Sequence, residues 1–244
     1  MTEGLIDGEP ARHLDIEDRG LAYGDGLFET IAVRSGRPRF LDRHLARLAR
    51  GCERLGLPGP EPELVAAEIA RLAGERERAS AKLILTRGPG PRGYRPPASP
   101  RPTRALGIFE SVPVDASLVR TGVRLRHCRT PVTESPVLAG LKTLNRLDQV
   151  LARAEWDDRE IREGLMRGVD GRVVCGTLSN LFLVIDEQLC SPSLDRAGIA
   201  GVMREVVLQA AADHGEPVVI RDIDMQELEL ASECFVCNSQ IGLW

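Results

Sequence analysis

The sequence predicts an α+β protein of two lobes, with mixed or antiparallel sheets and a cleft between them. Helix-period and strand-like segments are mixed along the whole chain. Its 244 residues suit one large or two small domains. Ser111 to Ser117, which contains Pro113, is the best linker candidate, giving domains at 1–112 and 118–244, the second the larger.

Each element has a local reason. Asp7-Gly8 and Ser35-Gly36 are turn dipeptides between strand-like runs, and Leu27 to Val33 reads as a strand. Phe40-Leu41 enters a helix with Leu41, Leu45, Leu48, Cys52 and Leu55 on one face, ended by Gly56 and Pro58. A second helix covers Glu63 to Leu72, and Leu83-Ile84-Leu85 is a short buried strand. Arg87 to Pro97 is too rich in Gly and Pro for regular structure, and Ala105 to Phe109 is another strand. The second half opens with a strand at Val123 to His127, then a helix over Leu144 to Ala154. Val169-Asp170-Gly171-Arg172 is a hairpin turn leading into Val173-Val174-Cys175. Leu181 to Ile185, Val218 to Ile220 and Cys234 to Val236 read as strands, and Gly201 to His214 as a helix.

Composition narrows the function classes. Hydrophobic residues make up 43% and charged residues 28%, which excludes disorder and collagen-like repeats. The net charge of −4 gives no electrostatic reason to expect nucleic-acid or anionic-membrane binding. The longest strongly apolar stretch, Leu181 to Ile185, is far short of the roughly 20 residues a bilayer needs. Met1-Thr2-Glu3-Gly4 shows no secretory pattern, so a cytoplasmic enzyme is expected. The six cysteines then read as free thiols. Cys234-Phe235-Val236-Cys237 lacks the second pair a zinc knuckle needs, so no metal site is expected. Strand alternation sends its two thiols to opposite faces.

The basic residues point to amine chemistry. Of 32, only Lys82 and Lys142 are lysines, and an ammonium can deprotonate where a guanidinium cannot. Lys142 lies in Leu138-Ala139-Gly140-Leu141-Lys142-Thr143-Leu144, among apolar residues that would lower its pKa and make it a nucleophile. The alternative is a lysine snorkelling from a helix start. Lys82 is expected to point outward from a strand. Arg47 lies mid-helix beside the apolar stripe, and Gly198 to Arg204 opens a helix whose free N–H groups can hold a phosphate. A plain loop-to-helix junction is the other reading of that segment. Cys237-Asn238-Ser239 is a weaker phosphate cue.

Taken together, Arg19 to Thr30, His44-Leu45-x-Arg47-Leu48, Leu141-Lys142-x-Leu144-Asn145-Arg146-Leu147, Ser179-Asn180-Leu181-Phe182 and Gly201-Val202-Met203-Arg204 resemble the class IV aminotransferases. The match runs through nearly the whole chain in order. The resemblance implies the two-lobed fold type IV of pyridoxal 5'-phosphate enzymes (the D-amino-acid aminotransferase type), with a cofactor cleft between lobes and a cofactor-binding C-terminal domain. The loop Thr86 to Tyr94 and Leu144 to Val150 most resemble the aminodeoxychorismate lyases of that family. This implies formation of 4-aminobenzoate and pyruvate toward folate. D- or branched-chain amino-acid transamination, or a catalytically silent relative, are the alternatives.

The resemblance also implies roles. Lys142 is similar to the lysine that attaches the cofactor and acts as catalytic base. Arg47, the backbone N–H groups of Val202 and Met203, and the Ser239 hydroxyl are similar to phosphate ligands. Arg92 and Tyr94 fall where the lyases build a substrate loop, and Arg87 and Arg92 are carboxylate candidates. A homodimer is expected. Two departures stand out. Cys175 occupies the place where the family puts a glutamate on the pyridine nitrogen, and the chain stops at Trp244, where the family usually continues.

Overall fold

The computed structural model describes residues 3–111, 113 and 115–244. Met1, Thr2, Val112 and Val114 lie outside the described residues; the start of the N-terminal reading, the expected domain end at residue 112 and part of the linker fall there. The chain divides into two units: Met1–Pro113 with Lys142–Asn145, and Val114–Leu141 with Arg146–Trp244.

The first unit is built on strand alternation. β1 (Glu3–Ile6) and β2 (Glu9–Pro10) form the Asp7-Gly8 hairpin. The short helix α1 (Arg19–Tyr23) is capped by Asp18, whose carboxylate accepts from the Gly20 N–H. β3 (Gly26–Arg34) and β4 (Arg37–Pro38) turn at Ser35-Gly36. Helices α2 (Leu41–Leu55) and α3 (Pro62–Ala73) follow, then β5 (Arg78–Thr86) and β6 (Thr103–Glu110). The six strands lie in the order β2-β1-β6-β5-β3-β4, every pair antiparallel. Leu27, Ile31 and Val33 of β3, Ala79 to Leu85 at alternate positions of β5, and Leu106 and Ile108 of β6 are buried. Period two places them on one face, and each fully buried large aliphatic there contributes about 1.5–3 kcal/mol. α2 packs on β3, and α3 on β4, β5 and β6. Gly51 lets α2 approach closely: a Cβ there would come within 2.7 Å of Leu27 Cδ1.

The second unit holds α4 (Leu118–Thr121), β7 (Arg124–His127), α5 (Leu147–Arg153), β8 (Ile161–Arg167), β9 (Val173–Gly176), β10 (Asn180–Ile185), β11 (Gln188–Pro192), α6 (Val202–Asp213), β12 (Val219–Arg221), α7 (Met225–Leu230), β13 (Glu233–Asn238) and β14 (Gly242–Leu243). One sheet runs β12-β11-β10-β13-β14 and another β7-β8-β9. β11 and β12 are parallel, a pairing that needs a crossover, and α6 supplies it. Leu165, Val173, Leu181, Leu183, Cys190, Ile223 and Val236 form one apolar core. α7 starts with a capping box between Asp224 and Glu227.

Two sequence expectations change. The helix expected from Leu144 begins only at Leu147, and residues 142–145 belong with the first unit instead of the C-terminal domain. The reason is backbone pairing: Phe28 N–H donates to Lys142 O and Leu144 N–H to Gly26 O, each at 3.0 Å. That ladder competes with helical bonding of the same groups. β8, absent from the expected strands, is the partner that the Val169–Arg172 turn requires.

Candidate active site

Lys142 is fixed by that ladder. Leu27 and Thr143 form a bridge between the two Lys142-side bonds, so the backbone of residues 142–144 extends the edge of β3. The Lys142 ammonium lies 4.2 Å from the centroid of the Phe28 ring. Asn145 ties down the far end by donating to Gly24 O at 3.2 Å. An amine at the end of a flexible stem thus starts from a rigid base and rests on an aromatic face.

Behind β3, on its covered side, sits a buried polar triad. Glu29 occupies the buried phase of the strand, between Leu27 and Ile31. Its carboxylate accepts from Arg47 Nε at 2.8 Å and Nη2 at 2.5 Å, and pairs with His44 Nδ1 at 2.7 Å. His44 and Arg47 are three apart on α2 and so share a face. Burial pushes the Glu29 carboxyl upward, but the bonds from His44 and Arg47 outweigh it and hold the group below its ordinary value. The fork geometry fixes the guanidinium plane of Arg47, the predicted phosphate ligand. Sequence reading missed Glu29 and the buried role of His44. The available signal was a carboxylate in the inward phase of an apolar strand.

Arg87 is a correction. It was expected to meet a substrate carboxylate, but it is buried, with Nε on Asp25 Oδ2 at 2.8 Å, Nη1 on Gly56 O at 3.0 Å and Nη2 on Leu55 O at 2.9 Å. All three nitrogens are committed to the protein, which makes Arg87 scaffold. Asp25 also accepts from Arg19 Nε at 2.9 Å. Burial raises the Asp25 carboxyl, and the bonds from the two arginines bring it below its ordinary value. Arg19 in turn holds the Gly-Pro loop, donating to Gly93 O and Tyr94 O at 2.8 and 3.1 Å. The Gly93 N–H donates to the Tyr23 hydroxyl, and Tyr94 stacks edge-on against Tyr23. Tyr94 is exposed, as is Arg92, which has no hydrogen-bond or ion-pair partner among the described residues.

The second unit presents a helix start without a capping side chain. Gly201 is the N-cap of α6 and supplies no side-chain cap, so the first N–H groups of Val202 and Met203 are not taken up by a capping side chain. Asn180 shapes this turn, accepting from Gly201 N–H at 3.1 Å and donating to Ile199 O at 2.9 Å. A Cβ on Gly201 would fall 2.0 Å from Asn180 Oδ1, so only glycine fits. Asn180 is placed by the turn before β10. There Glu163 accepts from the N–H groups of Thr177 and Leu178 and from the hydroxyls of Thr177 and Ser179. Ser239 lies in a tight turn held by Asn238, whose side-chain Oδ1 accepts from the Gln240 and Ile241 N–H groups.

Cys175 is buried in an apolar cluster with Cys128, Val132, Ala152, Trp156, Met166, Val174 and Ala197. Burial pushes its thiol up to about 12, so it is neutral at pH 7. The first unit thus offers an amine and an oriented guanidinium, and the second a helix start without a capping side chain. Among the described residues no group of His, Cys, Asp and Glu could hold a metal ion, and no helix is long and apolar enough to cross a membrane.

The family model for amino-transferase class IV matches residues 26–244. The chain is 34% identical over 238 residues to an aminodeoxychorismate lyase of Vibrio harveyi, covering 98% of this chain and 88% of that protein. A crystal structure of 4-amino-4-deoxychorismate lyase from Pseudomonas aeruginosa is 52% identical, with a TM-score of 0.94 over 99% of this chain and 89% of that one. A fold IV transaminase from Curtobacterium pusillum is 28% identical, with a TM-score of 0.81 over 100% and 90% of the two chains.

Proposed function

The chain belongs to the class IV aminotransferase family, and from that membership we propose a pyridoxal 5'-phosphate-dependent 4-amino-4-deoxychorismate lyase. It releases 4-aminobenzoate and pyruvate, a step toward folate. The carrying observation is Lys142, an amine held by backbone pairing to β3 with its ammonium on the Phe28 ring. The similarity to the lyase of Pseudomonas aeruginosa supports the choice among family activities.

In this reading Lys142 would carry the cofactor through its aldehyde and Arg47 would hold its phosphate from the first unit; in the second unit the Val202 and Met203 N–H groups and the Ser239 hydroxyl would be phosphate donors. When bound, the pyridoxal ring draws electrons from the carbon that carries the substrate amine. The Lys142 Nζ would remove the C4 proton of the substrate. The C3–O bond breaks, the departing enolpyruvate carbon takes a proton from Lys142, and the six-membered ring becomes aromatic. Aromatisation would supply driving force that a transaminase lacks, which would let the neutral thiol of Cys175 serve where the family places a glutamate. Arg92 and Tyr94 contact the substrate from the loop that Arg19 holds.

The protein is a homodimer in this reading. Leu147, Val150 and Leu151 form an exposed apolar row on α5, a surface that water does not favour and a second copy would cover. Six unpaired cysteines suit the reducing cytoplasm.

Incubation with 4-amino-4-deoxychorismate tests the reading. The wild type forms equal amounts of 4-aminobenzoate and pyruvate, and Lys142→Ala forms neither and retains no borohydride-fixed cofactor by mass spectrometry. A keto acid from D-alanine with no 4-aminobenzoate would replace the lyase with an aminotransferase.

A further inference from the structure

The packing of α2 on β3 brings a third group to the pair formed by Glu29 and Arg47. His44, Arg47 and Gly51 are spaced three and four positions apart, so one face of α2 carries all three. Gly51 sets how close that face comes, because a Cβ there would fall 2.7 Å from Leu27 Cδ1. At that approach the helix side chains reach Glu29, two positions further along β3 in the same buried phase. His44 is buried to 0% exposure, with Nδ1 at 2.7 Å from Glu29 Oε2. An ionised carboxylate only accepts, so Nδ1 carries the proton of this bond. Nε2 has no hydrogen-bond partner among the described residues.

The bonds to Glu29 do different work. Arg47 gives Nε to Oε1 at 2.8 Å and Nη2 to Oε2 at 2.5 Å. A fork of this kind fixes two planar groups relative to each other. It does not fix them relative to the strand, because the Glu29 side chain can turn about its own bonds and carry the guanidinium with it. The His44 bond reaches the same carboxylate from a different residue and stops that rotation. Burying an imidazole whose Nε2 finds no partner costs free energy that a leucine in its place would not. The cost is met at Nδ1, where the imidazole braces the carboxylate.

We propose that His44 is a positioning residue: through Glu29 it sets the direction in which Arg47 presents its guanidinium, and so the affinity for the cofactor phosphate. The proposal rests on the reading of Arg47 as a phosphate ligand and deepens it. A guanidinium braced before the phosphate arrives loses less freedom on binding than one that must be ordered at that moment. His44 touches neither the phosphate nor the reacting atoms in this account, and its whole effect runs through Arg47.

The test compares pyridoxal 5'-phosphate with pyridoxal, which has the same aldehyde and no phosphate, on the full chain freed of cofactor. Affinities are read from the absorbance change on attachment to Lys142. His44→Leu lowers the affinity for pyridoxal 5'-phosphate roughly tenfold and leaves that for pyridoxal at the wild-type value. His44→Asn, whose side-chain N–H group stands where Nδ1 does, recovers most of the loss. A damaged fold instead weakens both aldehydes together. In an Arg47→Met background, His44→Leu costs nothing further, since the residue it acts through is gone. A wild-type preference for the phosphate ester in His44→Leu, equal weakening of both aldehydes, no recovery in His44→Asn, or a further loss on top of Arg47→Met each overturns the proposal. Arg47→Met alone tests the reading beneath it. An unchanged preference for the phosphate ester in that variant removes the phosphate from Arg47 and His44 together. A lowered preference there, with a wild-type preference in His44→Leu, overturns only the part assigned to His44.

Discussion

Glu29→Gln is the sharpest perturbation of this molecule, because one substitution disturbs stability, acid sensitivity and cofactor affinity through the same three residues. The Glu29 carboxylate is buried and faces two groups, His44 Nδ1 and the Arg47 fork. Removing its charge takes the anionic partner away from a buried guanidinium. Breaking a buried pair from one side costs about 3–5 kcal/mol, against a total stability of about 5–15 kcal/mol for a typical domain. The denaturant midpoint of the cofactor-free protein should fall accordingly. Arg47→Met in the same background should recover part of the loss, since the buried guanidinium is then gone. The pH dependence has a definite sign. A carboxyl whose folded pKa is depressed contributes stability above its unfolded value and loses it as pH falls through the folded value. The wild type therefore loses this contribution progressively below the ordinary value of 4.5, and Glu29→Gln lacks it at every pH. Glu29→Gln should also weaken the cofactor, because Arg47 loses the partner that orients it. A loss under about 1 kcal/mol, or an acid limb unchanged in the variant, would show that the triad does not hold the unit together as argued.

Three further outcomes follow from the same geometry. Arg47→Ala should weaken cofactor binding roughly ten- to more than a hundredfold, read by equilibrium dialysis, with a smaller effect on kcat; an unchanged dissociation constant moves the phosphate elsewhere. Arg87→Met should lower the unfolding free energy by about 1.5–3 kcal/mol, read from the denaturant midpoint, because Asp25, Gly56 O and Leu55 O lose a charged donor. KM should stay near wild type, and a KM effect without a stability effect would return Arg87 to the substrate. Cys175→Glu puts a carboxylate into an apolar cluster, costing several kcal/mol in the cofactor-free protein. Cofactor loading should recover part of that if residue 175 meets the ring nitrogen, so equal melting-temperature drops with and without cofactor refute that contact.

Much of this was legible before any coordinates. Leu41 to Leu55 carries a helical apolar period with a glycine stop, and the helix ends where that period ends. Alternation in Leu27 to Val33 and in the residues around Leu83 marks two central strands of the first sheet. Gly201-Val202-Met203 announces a helix start without a capping side chain. These are local properties, set by side-chain period, capping and turn chemistry within a few residues. So is the near absence of lysine, which singles out Lys142 as an amine worth keeping.

The tertiary structure decided whatever depends on a partner distant in the chain. Leu144 to Arg146 has the composition of a helix, yet residues 142–144 pair with β3, more than a hundred residues earlier, because that ladder satisfies the same backbone groups. Arg87 looks like a carboxylate ligand in its Gly-Pro loop, and only folding brings Asp25, Leu55 and Gly56 around it. Glu29, His44 and Arg47 read as a carboxylate, an imidazole and a guanidinium with no evident relation until β3 and α2 pack and exclude water from them. Lys82 and Lys142 lie 60 positions apart in the sequence, and the pairing of two strands with one returning segment brings both to the face of Phe28. Local sequence chooses which groups are present and which elements carry them. Which groups meet is set by strand pairing and burial, which act between segments that no short window of sequence contains.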